Sequence, residues 1–448
     1  MDNMRGAGSP LSQNFSLQSL LGFAFPSMAA MLFMGLYTLT DTVFVARFVN
    51  TNALSALNIV CPVVNLTVGL GTMLAAGGSA IVARKMGAGE HARAARDFTL
   101  ITGAGALLGV LISVFGTLFI DRLIWGLGAS GTLFPYCKKY LFILLLFTPA
   151  CIVQVLFQNL MVTAGRPGVG MLLGLSAGGV NILLDYIFMG PLQLGIQGAA
   201  LGTGIGYLIP SAAGTLFFLS GKSSLRFQKP VMDLTVLAEA CANGFSEMVG
   251  QASAAVTTIL FNRTMMKLLG EDGVAAITIM IYTQFLSTSL YTGFSMGTAP
   301  VISFAYGEQA WGRLRNVFSL CLRFLLFASV LVFGLTFVFG PSLTGIFSEK
   351  GTAVYEIAKQ GFLIFPFGFL FCGFSIFISA AFTALSNGKL SAVLSFLRTF
   401  GLISALLLIL PSLWGVTGVW LAVPAAELLT MIVSLIFLWQ NKNTYHYA

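Results

Sequence analysis

Charge is scarce in this sequence. Charged residues make up 8% of the 448, where a soluble globular domain carries roughly a quarter. So few cannot dress a water-facing surface of this size, which excludes an ordinary soluble domain. Histidine is scarcer still: His91 and His446 are the only two, and a histidine-based metal centre is excluded with them. The six cysteines (Cys61, Cys137, Cys151, Cys241, Cys321 and Cys372) form no C-x-x-C pair. They read as small packed hydrophobes rather than a metal or disulfide framework. No P-loop is present: Gly221-Lys222-Ser223 comes nearest, but residue 216 is leucine where the motif needs glycine, so ATP drive is excluded. Unclustered acids and scarce histidine leave no nucleophile–base or metal constellation, so the chain is not read as an enzyme and no cofactor is expected. Ten-residue segments of alternating polarity are lacking too, which removes a β-barrel.

What the chain has is apolar length. Hydrophobic residues reach 57% and the mean hydropathy is +0.91. A spanning helix needs roughly 20 mostly apolar residues. Glycine, proline and scattered charges delimit twelve such stretches, at about 17–48, 53–83, 97–120, 136–163, 169–190, 195–220, 235–268, 272–304, 316–340, 354–385, 389–411 and 415–439. The class is an all-α membrane protein of twelve transmembrane helices. Residues 1–14 are polar and lack the basic start, apolar core and cleavage site of a secretory signal, so the first helix is expected to persist. One set of alternate loops holds Arg5, Arg84, Lys85, Arg93, Lys222 and Arg313 among others; the opposite set, with Arg47, Arg122 and Lys350, is less basic. The more basic side is expected to be cytoplasmic and holds both termini. The net charge of +8 is then a topology signal, with no basic soluble domain to bind nucleic acid.

A shift of 220 residues superimposes the chain on itself without a gap. Gly87 meets Gly307, Arg93 meets Arg313 and Pro191 meets Pro411. The clearest stretch is Gly195-Ile-Gln-Gly-Ala-Ala-Leu201 against Gly415-Val-Thr-Gly-Val-Trp-Leu421. One constant offset with matches at loop boundaries marks a tandem repeat. The predicted organisation is an N-terminal six-helix lobe at 1–220, a polar and basic cytoplasmic linker at 221–232 and a C-terminal six-helix lobe at 233–448. An even number of spans per repeat gives both halves one orientation, a pseudo-two-fold along the membrane normal and a cleft between lobes.

Four acids fall inside the spans: Asp41, Asp185, Glu247 and Glu427. Arg323 and Arg398 are the basic counterparts, with Arg323 near enough to a helix end to snorkel. An ionisable group at such depth costs several kcal/mol, so it pairs structurally or marks an ion or substrate path. Asn181 and Asp185 share a face of the fifth helix. Gly170, Gly174 and Gly178 continue that face, and a small-residue stripe admits a neighbouring helix. The sixth helix carries Gly198, Gly202 and Gly206 in the same way, with Thr203 beside them. The topology puts Asp41, Asp185 and Thr203 at similar depth in the outer half of the bilayer. Two carboxylates, an amide oxygen and a hydroxyl form a hard oxygen site suited to Na⁺. Equally, two close carboxylates in low dielectric cannot both stay ionised, so one would carry a proton.

The repeat acts as a control. At the 220 offset Asp41, Asn181, Asp185 and Thr203 fall on Phe261, Gly401, Ala405 and Val423. A need of the scaffold should recur in both halves, so the asymmetry points to ion coupling. Glu247, Arg398 and Glu427 are likewise confined to one half, their partners being Ser27, Gly178 and Tyr207. They read either as an Arg398 salt bridge to one glutamate or as a glutamate left facing the cleft. Pro26, Pro62, Pro149, Pro210, Pro300, Pro366 and Pro424 sit inside the spans and permit kinks.

The chain resembles the multidrug and toxic compound extrusion (MATE) family, most closely its bacterial MepA-like and DinF-like branches. The resemblance rests on Leu36-Tyr-Thr-Leu-Thr-Asp-Thr-Val-Phe-Val45, Ala83-Arg-Lys-Met-Gly87, Gly179-Val-Asn-Ile-Leu-Leu-Asp185 and Gly195-Ile-Gln-Gly-Ala-Ala-Leu-Gly-Thr203, and covers both repeats. It implies a V-shaped pair of lobes and a secondary antiporter of the bacterial inner membrane, working as a monomer, that expels cationic amphipathic drugs in exchange for H⁺ or Na⁺. It implies further that Asp41, Asn181, Asp185 and Thr203 form the cation site, and that Tyr37 lines the substrate cavity. Gln154, Gln158 and Asn159 are weaker cavity candidates, with Glu247, Arg398 and Glu427 in the other lobe. The NorM-like branch carries key acids in the C-terminal lobe, and Glu247 falls on the same helix as one of them. The rival reading is a lipid-linked-oligosaccharide flippase of the same broad superfamily; those chains resemble fourteen-helix proteins with several cavity arginines. An acidic, aromatic cavity favours drug export, and a basic one the flippase.

Overall fold

The computed structural model describes residues 10–49, 51–221 and 223–447; Arg5 and Lys222, both counted above as basic loop residues, lie outside them. Helix α1 is Leu17–Phe48, α2 Thr51–Gly87 and α3 His91–Leu118. After a short turn of helix at Ile120–Gly126, α4 follows as two pieces, Phe134–Leu146 and Thr148–Thr163, bent by 54°. Helix α5 is Pro167–Met189 and α6 Ile196–Leu219. The long helical run Leu234–Gly307 breaks at Gly270, whose φ is 67°, into α7 (234–269) and α8 (271–307). Helix α9 is Trp311–Phe347. Helix α10 is Phe369–Ala384, reached through the short helix Ala353–Gly361 and a 3₁₀ turn at Phe365–Gly368. The run Gly388–Tyr445 breaks at Trp414 and Gly415 into α11 (388–413) and α12 (416–445). No strand occurs among the described residues. The twelve apolar spans of the sequence are therefore present, in the two-lobe arrangement that the repeat predicts.

Local chemistry starts and stops these helices. Ser16 caps α1 reciprocally with Ser19, satisfying donors that the first turn leaves open. The Asp233 carboxylate does the same for α7, accepting from the amides of Thr235 and Val236. Not every proline in a span behaves alike. Pro26, Pro62, Pro210, Pro300 and Pro424 lie inside continuous helix. Pro149 and Pro366 instead open new segments, where α4 bends and where α10 begins, because a proline lacks the N–H that an unbroken helix needs. Leu107, Leu118, Leu326, Phe327 and Val338 are exposed on the rim of the bundle, as a lipid-facing surface requires.

The 220-residue offset is visible in backbone geometry. Gly195 and Gly415 share one conformation, φ 59° with ψ −141° and φ 56° with ψ −132°. Gly89 and Gln309 both turn through positive φ after α2 and α8. Where the lobes meet, the contacts pair up under the same offset. Gly87 packs on the Phe304 carbonyl and Gly307 on the Arg84 carbonyl; Gly77 packs on Gly244, and its counterpart Gly297 on Ala24. Only hydrogen at these positions lets the backbones come so close. The glycines that touch across the seam run from Gly35 and Gly69, near the middle of α1 and α2, to Gly307 at the end that holds the chain termini. At that end the Arg84 guanidinium crosses the seam, to Glu239 at 2.8 Å and to the Ser386 hydroxyl at 2.7 Å.

Candidate functional site

The two glycine stripes place the first lobe's polar groups. Helix α6 presents Gly198, Gly202 and Gly206 to α5, where they meet Phe188, the Asp185 carboxylate and Asn181 in turn. The stripe on α5 receives other neighbours: Gly170 and Gly174 lie against Gln158 of α4, and Gly178 against the rings of Tyr37 and Phe33 on α1. The consequence is depth. Asp185 is fully buried and Asn181 nearly so, while Asp41 and Thr203 are half-buried.

The four residues named from the sequence come together. The Asn181 side-chain amide donates to the Thr203 hydroxyl at 3.2 Å, and the Asp41 and Asp185 carboxyls stand within hydrogen-bonding reach of each other. Two ionised carboxylates can only accept, so they hold each other closely only with a hydrogen or a cation between them. Asn181 also stands against the Asp185 carboxyl, while Asp41 Oδ1 and Asn181 Oδ1 meet no donor. Every ion pair among the described residues lies outside this cluster. The site is thus a cluster of oxygen acceptors without a cationic side chain.

Tyr140 stands near both acids and Tyr207 near Asp41, and Tyr207 reaches Cys151. The sequence reading missed all three. Tyr207 was detectable, since it falls four residues after Thr203 on one face of α6. Tyr140 sits before the bend of α4, where periodicity in a straight span carries no information. Tyr37 lies between α1 and α5, packed on Gly178. Gln158 lines a small cavity with Ser27, Met31, Met34, Met171 and Met296. Gln154 is buried, and Asn159 donates its amide to Val155 of its own helix at 3.2 Å.

In the second lobe Arg398 Nε donates to Glu427 Oε1 at 3.2 Å. Arg398 belongs to a π-helical turn, Leu397–Gly401, and the pair borders a cavity of about 190 Å³ between α7, α8, α11 and α12. Glu247 on α7 is half-buried and makes no ion pair within 4.0 Å, standing at longer range from Arg398. Arg323 is exposed near the start of α9.

Twelve spans in two lobes, with acids sealed inside the first, define a multi-pass membrane transporter. The chain belongs to the MatE family, whose model matches twice, at residues 26–187 and 248–409. It is similar to the multidrug export protein MepA of Staphylococcus saprophyticus, 22% identical over 95% of this chain and 94% of the relative. MepA of Staphylococcus haemolyticus is 23% identical over the same shares. Among solved structures, MATE in complex with MaL6 superposes with a TM-score of 0.92 at 21% identity, covering 99% of this chain and all of that one. An outward-facing multidrug resistance MATE transporter superposes equally well, covering 98% of each chain.

Proposed function

We propose that this chain is a secondary active multidrug efflux antiporter. It exports cationic amphipathic compounds in exchange for H⁺ or Na⁺ by alternating access, as a monomer in the bacterial cytoplasmic membrane with both termini inside. The observation that carries the reading is the contact between Asp41 and Asp185, two acids inside one lobe with no basic side chain to neutralise them. Such a pair holds a cation when the site is loaded and repels itself when it is not. Direct contact of the carboxyls suits a shared proton; the unpartnered oxygen of Asn181 beside the Asp185 carboxylate suits Na⁺.

The family match and the MepA relatives support export of drugs. So does the balance of charge inside the spans: Asp41, Asp185 and Glu247 have no ion-pair partner among the described residues, while Arg398 is neutralised by Glu427. That acidity disfavours the flippase reading. With the termini inside, the seam sealed at their end corresponds to a cleft opening outward. An ion entering Asp41 and Asp185 from outside then biases the lobes to release drug there and reverse. One charge moving across 100 mV supplies about 2.3 kcal/mol, enough for a drug gradient of roughly fifty-fold.

The test is transport in reconstituted vesicles with ΔpH and ΔNa⁺ imposed separately. Asp41→Asn and Asp185→Asn are each expected to abolish export while the protein stays folded in the membrane. Full export by both variants would overturn the coupling assignment.

A further inference from the structure

Where the two lobes meet, sulfur takes the place that oxygen has in the coupling site. Ser27, Met31 and Met34 follow one another at four and three residues on α1, so they share one face. Gly293 and Gly297 of α8 let that helix close on α1 at Ser27, Met28 and Ala24. Met296, between those two glycines, is thereby brought to the α1 face, and Met171 of α5 joins it from the first lobe. The four methionines, Ser27 and Gln158 line a cavity of about 10 Å³. That admits about one water-sized occupant, far below the roughly 300–1,000 Å³ of drug-sized pockets. Among the described residues, none with a charged side chain, an imidazole or a thiol borders it. Methionine fills irregular gaps in many cores, yet these four leave an atom-sized space instead of closing it. The Ser27 hydroxyl on its wall is 4% exposed and meets no hydrogen-bond partner among the described residues. A water there would have only Ser27 and Gln158 as polar neighbours, the low end of the two to four that a buried water takes. Thioether sulfur is a soft donor suited to Cu(I), where carboxylate and carbonyl oxygen suit hard ions. With no anionic ligand present, a single positive charge is buried at less cost than a double one.

We propose that this cavity is a thioether site for one soft monovalent metal ion, Cu(I) or Ag(I), that bridges the two lobes. Met31, Met34 and Met171 supply sulfur from the first lobe and Met296 from the second, and the Ser27 oxygen completes the set. The ligands are together only while the lobes are packed at the end where Arg84 and the seam glycines lie. Opening that end carries Met296 away with α8. A bound ion therefore staples the lobes in the present arrangement and inhibits the protein. That consequence rests on the exporter reading above; the binding does not.

The experiment titrates the full-length protein in lipid nanodiscs with Ag(I) nitrate in chloride-free buffer, and with Cu(I) held by bicinchoninate without oxygen. Cys61 and Cys241, exposed and half-buried, are first capped with N-ethylmaleimide; the other four cysteines are buried. One equivalent of either ion is expected to bind, at least tenfold more weakly in Met296→Leu and in Met31→Leu. Leucine nearly keeps the volume and removes the sulfur, so both variants are expected to fold. Met232→Leu, on the exposed linker, is the control and should bind as the wild type does. Ag(I) is further expected to slow drug export by reconstituted vesicles severalfold in the wild type but not in Met296→Leu, each set against its own metal-free rate. No bound equivalent, or binding unchanged in both Met296→Leu and Met31→Leu, overturns the site and leaves the methionines as packing. Binding that Met296→Leu weakens, together with export that Ag(I) does not slow, overturns the staple. Absence of export without metal would sink the exporter reading alone, because the titration does not depend on it.

Discussion

The Cα of Gly202 sits so close to the Asp185 carboxylate that a methyl group there would overlap Oδ1. The acid is buried because a glycine on the next helix lets the backbone close over it. Gly202→Ala is therefore expected to push α6 away from α5, at a cost of about 1–3 kcal/mol for an overpacked contact. Export should fall at least tenfold, with a lower Tm of the purified protein. Gly179→Ala, on α5 but with no atom within 4 Å of the added methyl, is the control and should export normally.

Asn181 makes a second, weaker claim on the site. Its amide is held by Thr203, which aims the amide oxygen into the cluster without a donor. Asn181→Ala is expected to weaken coupling-ion affinity about tenfold, a loss of one charge-assisted contact, while maximal export at saturating ion is largely kept. Thr203→Val should produce a smaller shift in the same direction. Export rate against H⁺ or Na⁺ concentration measures both; an unchanged half-saturating concentration in Asn181→Ala would remove this residue from the site.

Much of this was legible in the sequence. Apolar length gave the twelve spans, and four-residue glycine spacing identified the faces on which Asp185 and Asn181 lie. The 220-residue offset anticipated paired contacts as particular as Gly87 on Phe304 and Gly307 on Arg84. Three things were not legible, each for a physical reason. Pro149 signalled a kink in α4 but not its direction or angle, and the π-turn at Arg398 is a backbone distortion that composition does not encode, so Tyr140 and the second cavity were hidden. The choice of Glu427 over Glu247 as the partner of Arg398 depends on helix rotation, which spacing on separate helices cannot fix. The Arg84 bridge to Glu239 exists because the lobes are closed at one end, and a sequence specifies both states of a rocking pair without naming one.

The start of α7 offers a pH test. The Thr235 hydroxyl and the backbone amides of Thr235 and Val236 hold the Asp233 carboxyl below its usual value of 3.8, because each favours the ionised form. A depressed folded-state value means the cap stabilises above the unfolded value and is lost as pH falls through the folded one. The Tm gap between wild type and Asp233→Ala is thus expected to be full at neutral pH and to shrink as pH drops below about 3.8. A gap that persists unchanged into strong acid would mean that the carboxylate does not act as the cap.

The Arg84 bridge predicts how the closed end responds to one missing charge. Both side chains are part-exposed, at 27% and 43%, so the pair is worth about 0–1 kcal/mol. The seam also has the glycine contacts, which one charge does not disturb. Glu239→Gln is therefore expected to shift the balance between the lobe arrangements only severalfold, not to collapse it. Cys241 reports on this, since it lies on α7 beside Ala240, whose carbonyl meets Gly77 across the seam, and is half-buried. With the exposed Cys61 replaced by serine, thiol labelling of Cys241 should rise a few-fold in Glu239→Gln. Arg84→Ala removes the Ser386 contact as well and should raise it further. Labelling unchanged by either substitution would show that backbone packing alone holds this end shut, and would leave Arg84 no part in setting the balance.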